Sequence, residues 1–273
     1  MKKFTWFNAT ALTFGFAFLY LSMVILVIYS FNASKLVTVW AGFSTKWYGR
    51  LLENEAFLDA AWVTLKVGFI SSTLATILGT LAAYVLIRAG RFWGRTLFSG
   101  MIYAPLVMPE VITGLSLLLL FIGIGLDRGV FTIILAHTTF SMCYVSVVVS
   151  SRLASFDRAL EEAALDLGCS PLQAFRLVTL PIIAPAVISG WLLAFTLSLD
   201  DLVIASFTAG PSATTLPIKI FSAVRLGVSP EINALSTIMI AIVTIGVISA
   251  SLISKRAARK LQDDNAMAKR NQG

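Results

Sequence analysis

From Phe4 to Ser34 no residue carries a formal charge, and comparable charge-free runs extend over Val67–Ile87, Gly129–Ser151, Leu177–Leu199 and Ile232–Ser254. Such runs restrict the fold severely. A helix crossing the hydrocarbon core needs about 20 mostly apolar residues, and in lipid the backbone must be bonded within its own segment or within a closed barrel. These runs are far longer than the roughly ten-residue alternating strands of a barrel. Composition agrees: 58% of residues are hydrophobic and 13% charged, with a mean hydropathy of +0.86, against about 25% charged in an ordinary soluble domain. The sequence predicts an all-α integral membrane protein with six transmembrane helices, at roughly 9–31, 67–87, 101–125, 130–150, 182–207 and 232–254. Residues 1–273 then form a single transmembrane domain, with 255–273 as a charged tail.

Lysine and arginine set the orientation, because positive charge is retained on the cytoplasmic side. With the N-terminus inside, fourteen of the 21 basic residues fall in the cytoplasm and seven outside. Both termini, and the segment 152–181, are therefore expected to be cytoplasmic. The net charge of +7 reflects this asymmetry and does not call for nucleic acid as a partner. The first span follows Lys2-Lys3 but is too long and too aromatic for a cleaved signal; it is expected to remain as a helix.

Catalytic machinery is hard to assemble from these residues. The one histidine, His137, lies in the middle of the fourth span, where packing or hydrogen bonding is the more ordinary role than proton relay. Cys143 and Cys169 have no metal-type neighbours and read as bystanders. No phosphate-binding GxxxxGK[ST] occurs; Gly90-Arg-Phe-Trp-Gly94 is too short and lacks the lysine. No cofactor or metal is expected. Asn32-Ala33-Ser34 matches a glycosylation sequon, a weak three-residue signal.

The charged segment 152–181 reads as two short helices. Asp157 is suited to cap the first, and Glu161 and Glu162 lie in its opening turn, where acids complement the helix dipole. Leu160, Ala163, Ala164 and Leu167 fall at i, i+3, i+4 and i+7, predicting one apolar stripe. Gly168 supplies the position just past the helix end, and Ser170-Pro171 the N-cap and first residue of a second helix bearing Leu172, Phe175, Val178 and Thr179, which Leu180-Pro181 closes. A short exposed amphipathic helix of this kind can lie on lipid, pack on its own bundle or enter a groove in a partner. Its acids disfavour an anionic lipid surface.

The order Glu162-Ala163-Ala164-x3-Gly168-x9-Val178-x-Leu180-Pro181 resembles the cytoplasmic EAA loop of ABC importer permeases, with Val178 where isoleucine is commoner. Six spans with this loop between the fourth and fifth resemble that family, of the type I (MetI-like) architecture, over nearly the whole chain. Trp40–Tyr48, Ala104–Gly114, Leu197–Phe207 and Pro230–Leu235 are similar to its polyamine branch, in particular the putrescine permeases. The resemblance implies a bacterial inner-membrane subunit paired with a second, non-identical permease, two cytoplasmic ATPase subunits and a periplasmic substrate-binding protein. It also implies that Glu161, Glu162, Ala163, Ala164, Gly168, Leu180 and Pro181 form the ATPase-coupling segment. A permease for another small solute and a secondary transporter with its own ion coupling are the competing classes.

Three intramembrane acids, Glu110, Asp200 and Asp201, are the candidates for a cationic substrate path, since a carboxylate in hydrocarbon costs several kcal/mol. Equally, Glu110 suits a helix N-terminus or a cytoplasmic arginine partner, and the aspartates suit a cap at the end of a span. Tyr103, Trp191 and Phe207 offer cation–π faces, although aromatics in spans more often pack. Pro105-x3-Pro109-x-Val-Ile-Thr-Gly114 recurs 76 residues later as Pro181-x3-Pro185-x-Val-Ile-Ser-Gly190. Either a shared need for a broken helix start or a duplication accounts for the match. Both segments are expected to be kinked.

Overall fold

A computed structural model describes residues 5–36, 39–211, 213–226, 230–245 and 248. They divide into two compact units, 1–55 with 223–273, and 56–222. Among the described residues four helices are long and apolar enough to cross a membrane: α1 (Trp6–Ser30), α3 (Glu55–Arg88), α6 (Val130–Ser155) and the 30-residue stretch Pro171–Asp200. A fifth crossing is available from α4 (Arg95–Val107) and α5 (Glu110–Gly123) taken together as one broken span. The sixth sequence candidate begins as an apolar helix, Pro230–Ile245; its remainder, and the tail, lie outside the described residues.

In the unit that holds the N-terminus, α1 buries none of its apolar window, and its large apolar side chains are left to lipid or a partner. The chain then turns on Asn32, which is buried; its Nδ2 donates to Val39 O at 2.7 Å and its Oδ1 accepts from Ser34 N and Ala41 N at 3.1 and 2.9 Å. An amide so engaged is not free for glycosylation. The short helix α2 (Lys46–Glu53) packs through Trp47 and Leu51, and Trp47 Nε1 donates to Asn32 O at 2.6 Å.

The larger unit is built around α6, the most buried helix, which is rich in Ser, Thr and small residues along its length. Where lipid is as apolar as leucine, small and hydroxyl-bearing residues are what allow helices to approach. The buried seam of α3 follows the same rule: Gly68, Ser71, Ser72, Ala75, Thr76, Gly79, Ala82 and Ala83 are all buried. Ala75, Ala83, Val145, Val149, Leu153, Ile183 and Ala194 form the core where α3, α6 and Pro171–Asp200 meet.

Three boundaries differ from the sequence expectation. The second span starts at Glu55, not 67, because an amphipathic stretch bearing Glu55, Asp59 and Lys66 extends the helix; its 34 residues reach about 50 Å at 1.5 Å each. The third candidate is two helices, the chain bending by 117° at the break between them. Pro109 forces Met108 into extended backbone, ψ 135°, and Pro105 has already removed one donor from the turn before. The fifth span does not run to 207 but stops at Asp200; the chain restarts as α10 (Val203–Thr208). Arg95 helps define the end of α3, donating to Leu86 O at 2.8 Å and Gly90 O at 2.9 Å.

The proline repeat does not behave alike in its two copies. The first breaks its helix, whereas the second continues without interruption, Pro181 sitting in the first turn of α9 (Leu180–Asp200) behind a π-helical turn, Phe175–Thr179. That wider turn accommodates the hydrogen bond proline cannot make. Both copies end on a glycine at a close helix contact. A Cβ on Gly114 would lie 2.6 Å from the Phe207 ring in α10, and one on Gly190 3.2 Å from Val145 Cγ1 in α6.

Candidate functional site

The segment after α6 folds as helix, turn and helix. Phe156 ends α6 in extended backbone. Asp157 Oδ1 accepts from Ala159 N at 3.0 Å, so the side chain stands one residue ahead of the formal N-cap, Arg158. The first helix, α7 (Ala159–Asp166), closes on Gly168, whose φ of +86° only glycine adopts without strain. Cys169 N bonds Ala164 O at 3.0 Å and Gly168 N bonds Leu165 O at 2.9 Å, the paired bonds of a left-handed helix end. Ser170 and Gln173 form a reciprocal capping box at the start of α8 (Pro171–Ala174), which has Pro171 at its first position.

Two expectations are corrected here. Leu180-Pro181 does not close a separate second helix; α8 passes through the π turn directly into α9, so the segment is continuous with the membrane span. The predicted single stripe is split. Ala164 faces inward, while Leu160 and Leu167 are 52% and 87% exposed, with Ala163 exposed beside them. The position inward with Ala164 is Glu161, buried against Arg88, whose Nε lies 2.9 Å from Oε2. Glu162 points outward and pairs with Arg158 at 3.1 Å along the helix surface. Sequence periodicity misses Glu161 because its partner is 73 residues away.

The acids at the other end of α9 have unequal surroundings. Asp201 takes up the chain after the break: its Oδ2 accepts from Ala205 N at 2.7 Å and its Oδ1 from Ile204 N at 3.3 Å, capping α10. The same Oδ2 lies 3.1 Å from His137 Nε2, and His137 Nδ1 is 2.6 Å from Ser198 Oγ. A carboxylate only accepts, so Nε2 carries the hydrogen, and in the neutral ring Nδ1 accepts from Ser198. Ser71 Oγ donates to Ser198 Oγ at 3.3 Å, extending the chain of bonds into α3. His137 is thus a hydrogen-bonded histidine that ties three helices together, as its intramembrane position suggests. Asp200, by contrast, is exposed and makes no side-chain hydrogen bond or ion pair to another of the described residues. Glu110, also exposed and unpaired there, is the first residue of α5, where a negative charge complements the helix dipole. Asp201 does cap a helix, but at the start of α10 and not at the end of the fifth span, while Glu110 stands at a helix N-terminus. It brings α5 against α10 at Gly114, one turn beyond Glu110.

The aromatic candidates serve packing. Trp191 stacks on Phe195 at 5.1 Å and donates through Nε1 to Thr73 Oγ1 at 3.1 Å. Phe207 covers Gly114, and Tyr103 lies against the Ala82, Leu86 and Ile102 cluster. Cys143 is buried within α6 and Cys169 lies in the turn after Gly168; both are free thiols.

Residues 75–263 match the family described as binding-protein-dependent transport system inner membrane component. The chain belongs to this family. It is therefore a multi-pass inner-membrane permease component of a binding-protein-dependent system, and not the ATPase. Among relatives, the chain is 58% identical to the putrescine transport system permease protein PotI of Escherichia coli strain K12, over 92% of both chains. It is 43% identical to the spermidine/putrescine transport system permease protein PotC of the same strain, over 88% of this chain and 90% of that one. The fold is shared with a bacterial ABC transporter involved in the import of the acidic polysaccharide alginate: TM-score 0.69 at 18% identity, over 90% and 93% of the chains. It is shared as well with the inward-facing MetNI methionine ABC transporter: TM-score 0.59 at 17% identity, over 71% and 92%.

Proposed function

We propose that this permease component crosses the inner membrane six times with both termini cytoplasmic, as one of two non-identical permease subunits in an ATP-driven importer of putrescine and spermidine. The observation that carries the substrate class is the 58% identity to PotI across 92% of both chains. In this reading residues 1–273 form one transmembrane domain, two cytoplasmic ATPase subunits drive transport and a periplasmic binding protein delivers the substrate. The excess of basic residues on the inner side supports the orientation.

Residues 152–181 are the coupling segment. Glu162, Ala163 and Gly168 present its exposed face to the ATPase; Ala164, Leu180 and Pro181 join it to the span. Glu110 and Asp200 are the acids that meet a cationic substrate at successive stations, able to attract without trapping. Asp201 adds its charge beside Asp200 while its oxygens hold His137 and α10. Substrate reaches these stations only through the assembled complex with its partner permease.

Reconstitution with the ATPase, the second permease and the binding protein tests the assignment: labelled putrescine uptake is expected to require ATP and to persist when ion gradients are dissipated. Uptake that follows an imposed ion gradient without ATP overturns it. A narrower test concerns docking. No atom lies within 4 Å of a Cβ built on Gly168, so Gly168→Val acts through backbone strain alone, roughly 1–2 kcal/mol, or about tenfold in an equilibrium. Gly168→Val and Glu162→Lys are expected to reduce ATPase co-purification and uptake by about that factor, with membrane insertion intact. Normal assembly in both variants removes the docking assignment.

A further inference from the structure

Glu161 has the sequence position of a partner contact and the surroundings of an internal one. Its Oε2 is 2.9 Å from Arg88 Nε, and the two side chains are only 10% and 11% exposed. Its Oε1 lies 3.2 Å from the same Nε and accepts from Thr179 Oγ1 at 2.7 Å. Arg88 is further held by Phe156, its guanidinium lying over that ring at 5.4 Å. One buried carboxylate therefore joins the last turn of α3, the coupling helix α7 and the final residue of the π turn. Elsewhere in the spans, threonine hydroxyls commonly bond back to the carbonyl four residues earlier, as Thr64 and Thr76 do. Thr179 instead directs its hydroxyl across to Glu161.

The π turn shifts the helical register between α8 and α9. Phe175–Thr179 hold the extra residue of an i→i+5 turn two residues ahead of Pro181, and such bulges lie where helices bend or change register at functional sites. Tyr84 of α3 packs edge-on against Phe175 at 4.9 Å, so α3 flanks this turn at both its first and last residues, through Tyr84 and through the Arg88–Glu161–Thr179 chain. Meanwhile the opposite face of α7, with Leu160, Glu162 and Leu167, is exposed.

We propose that Glu161 is a positioning residue that transmits displacement of α7 to the membrane span by gripping the π turn through Thr179, with Arg88 fixing the carboxylate between them. This rests on the reading of α7 as the ATPase contact. Loss of the grip leaves docking intact but lets α7 move without carrying α9, so ATP is hydrolysed without transport.

Thr179→Val removes the hydroxyl at nearly constant volume and leaves the Arg88–Glu161 pair in place; Thr179→Ser restores the donor. In the reconstituted four-component complex, with labelled putrescine as probe, Thr179→Val is expected to keep ATPase co-purification at the wild-type level. ATP hydrolysed per putrescine imported is expected to rise at least fivefold, and Thr179→Ser to return it to within twofold of wild type. A wild-type ratio in Thr179→Val overturns the proposal. So does a parallel loss of ATPase co-purification and uptake, which marks an ordinary folding or docking defect. The two readings fail separately. If Gly168→Val and Glu162→Lys assemble normally, the docking assignment falls; if they fail to assemble while Thr179→Val stays fully coupled, only the transmission role falls.

Discussion

Asp201→Ala is expected to lower the yield of folded protein in the membrane by roughly tenfold or more, whereas Asp200→Ala leaves yield unchanged and removes most putrescine uptake. The two carboxylates are adjacent in sequence, yet one is committed and the other is free. Asp201 caps α10 through two backbone N–H groups and accepts from the buried His137. Losing an N-cap costs about 1 kcal/mol, and stranding a buried donor costs about 1–3 kcal/mol more. Polar contacts between membrane helices are often weaker than this, about 0.6 kcal/mol on average, which sets the lower bound. Asp201→Asn keeps an acceptor oxygen for the cap and is expected to fall between. Asp200 makes no such bonds, so its removal leaves nothing stranded and changes only the charge offered to substrate. Quantifying extracted folded protein and uptake for each variant separates the roles; equal yields for the two alanine variants refute the division. A double neutralisation confounds them, since any fall in uptake then mixes lost charge with lost structure.

The first, second, fourth and fifth spans were legible because charge-free runs of membrane length admit few folds, and the helix ends around Gly168 and Ser170 because caps are local chemistry. The break after Met108 was announced by Pro105 and Pro109. What stayed hidden depended on partners remote in sequence. Nothing in Leu202–Phe207 signals a break, since the apolar run continues without glycine or proline; the cue was Asp201 itself, an N-cap residue at the head of a short helix. Glu161 looks like a twin of Glu162, and only Arg88 and Thr179, brought in by the packing of α3 and α9, turn it inward. The extra turns of α3 were missed because Glu55, Asp59 and Lys66 make its start amphipathic, and a hydropathy criterion begins counting only where charge ends.

Gly79→Ala is expected to destabilise the protein most among glycine-to-alanine exchanges in the described helices, because of what occupies the space. A Cβ there would lie 2.7 Å from Met142 O and 2.8 Å from Val145 Cβ. The first is backbone of α6, so relief requires moving the helix and not merely rotating a side chain. Val145 is wedged between Gly79 of α3 and Gly190 of α9, where a Cβ would stand 3.2 Å from its Cγ1. It is the knob of a three-helix junction at the centre of the largest unit's core. Overpacking of this kind costs about 1–3 kcal/mol, which for a domain of this size is a fall in Tm of roughly 2–4 °C per kcal/mol. Gly190→Ala meets a side-chain atom at 3.2 Å, which a few tenths of an ångström relieve, and backbone only at an ordinary 3.6 Å, and is expected to lose less. Gly100→Ala meets nothing within 4 Å inside α4, where exchanging glycine for alanine favours the helix by about 1 kcal/mol. Thermal unfolding in detergent is therefore expected to rank Gly100→Ala above wild type, then Gly190→Ala, then Gly79→Ala. A Gly79→Ala protein as stable as wild type would mean that α3 and α6 do not meet at this point. About two turns before Gly79 on the same helix, Ser71 bonds Ser198 and through it His137, so the packing of α3 at this junction also bears on the network that occupies Asp201.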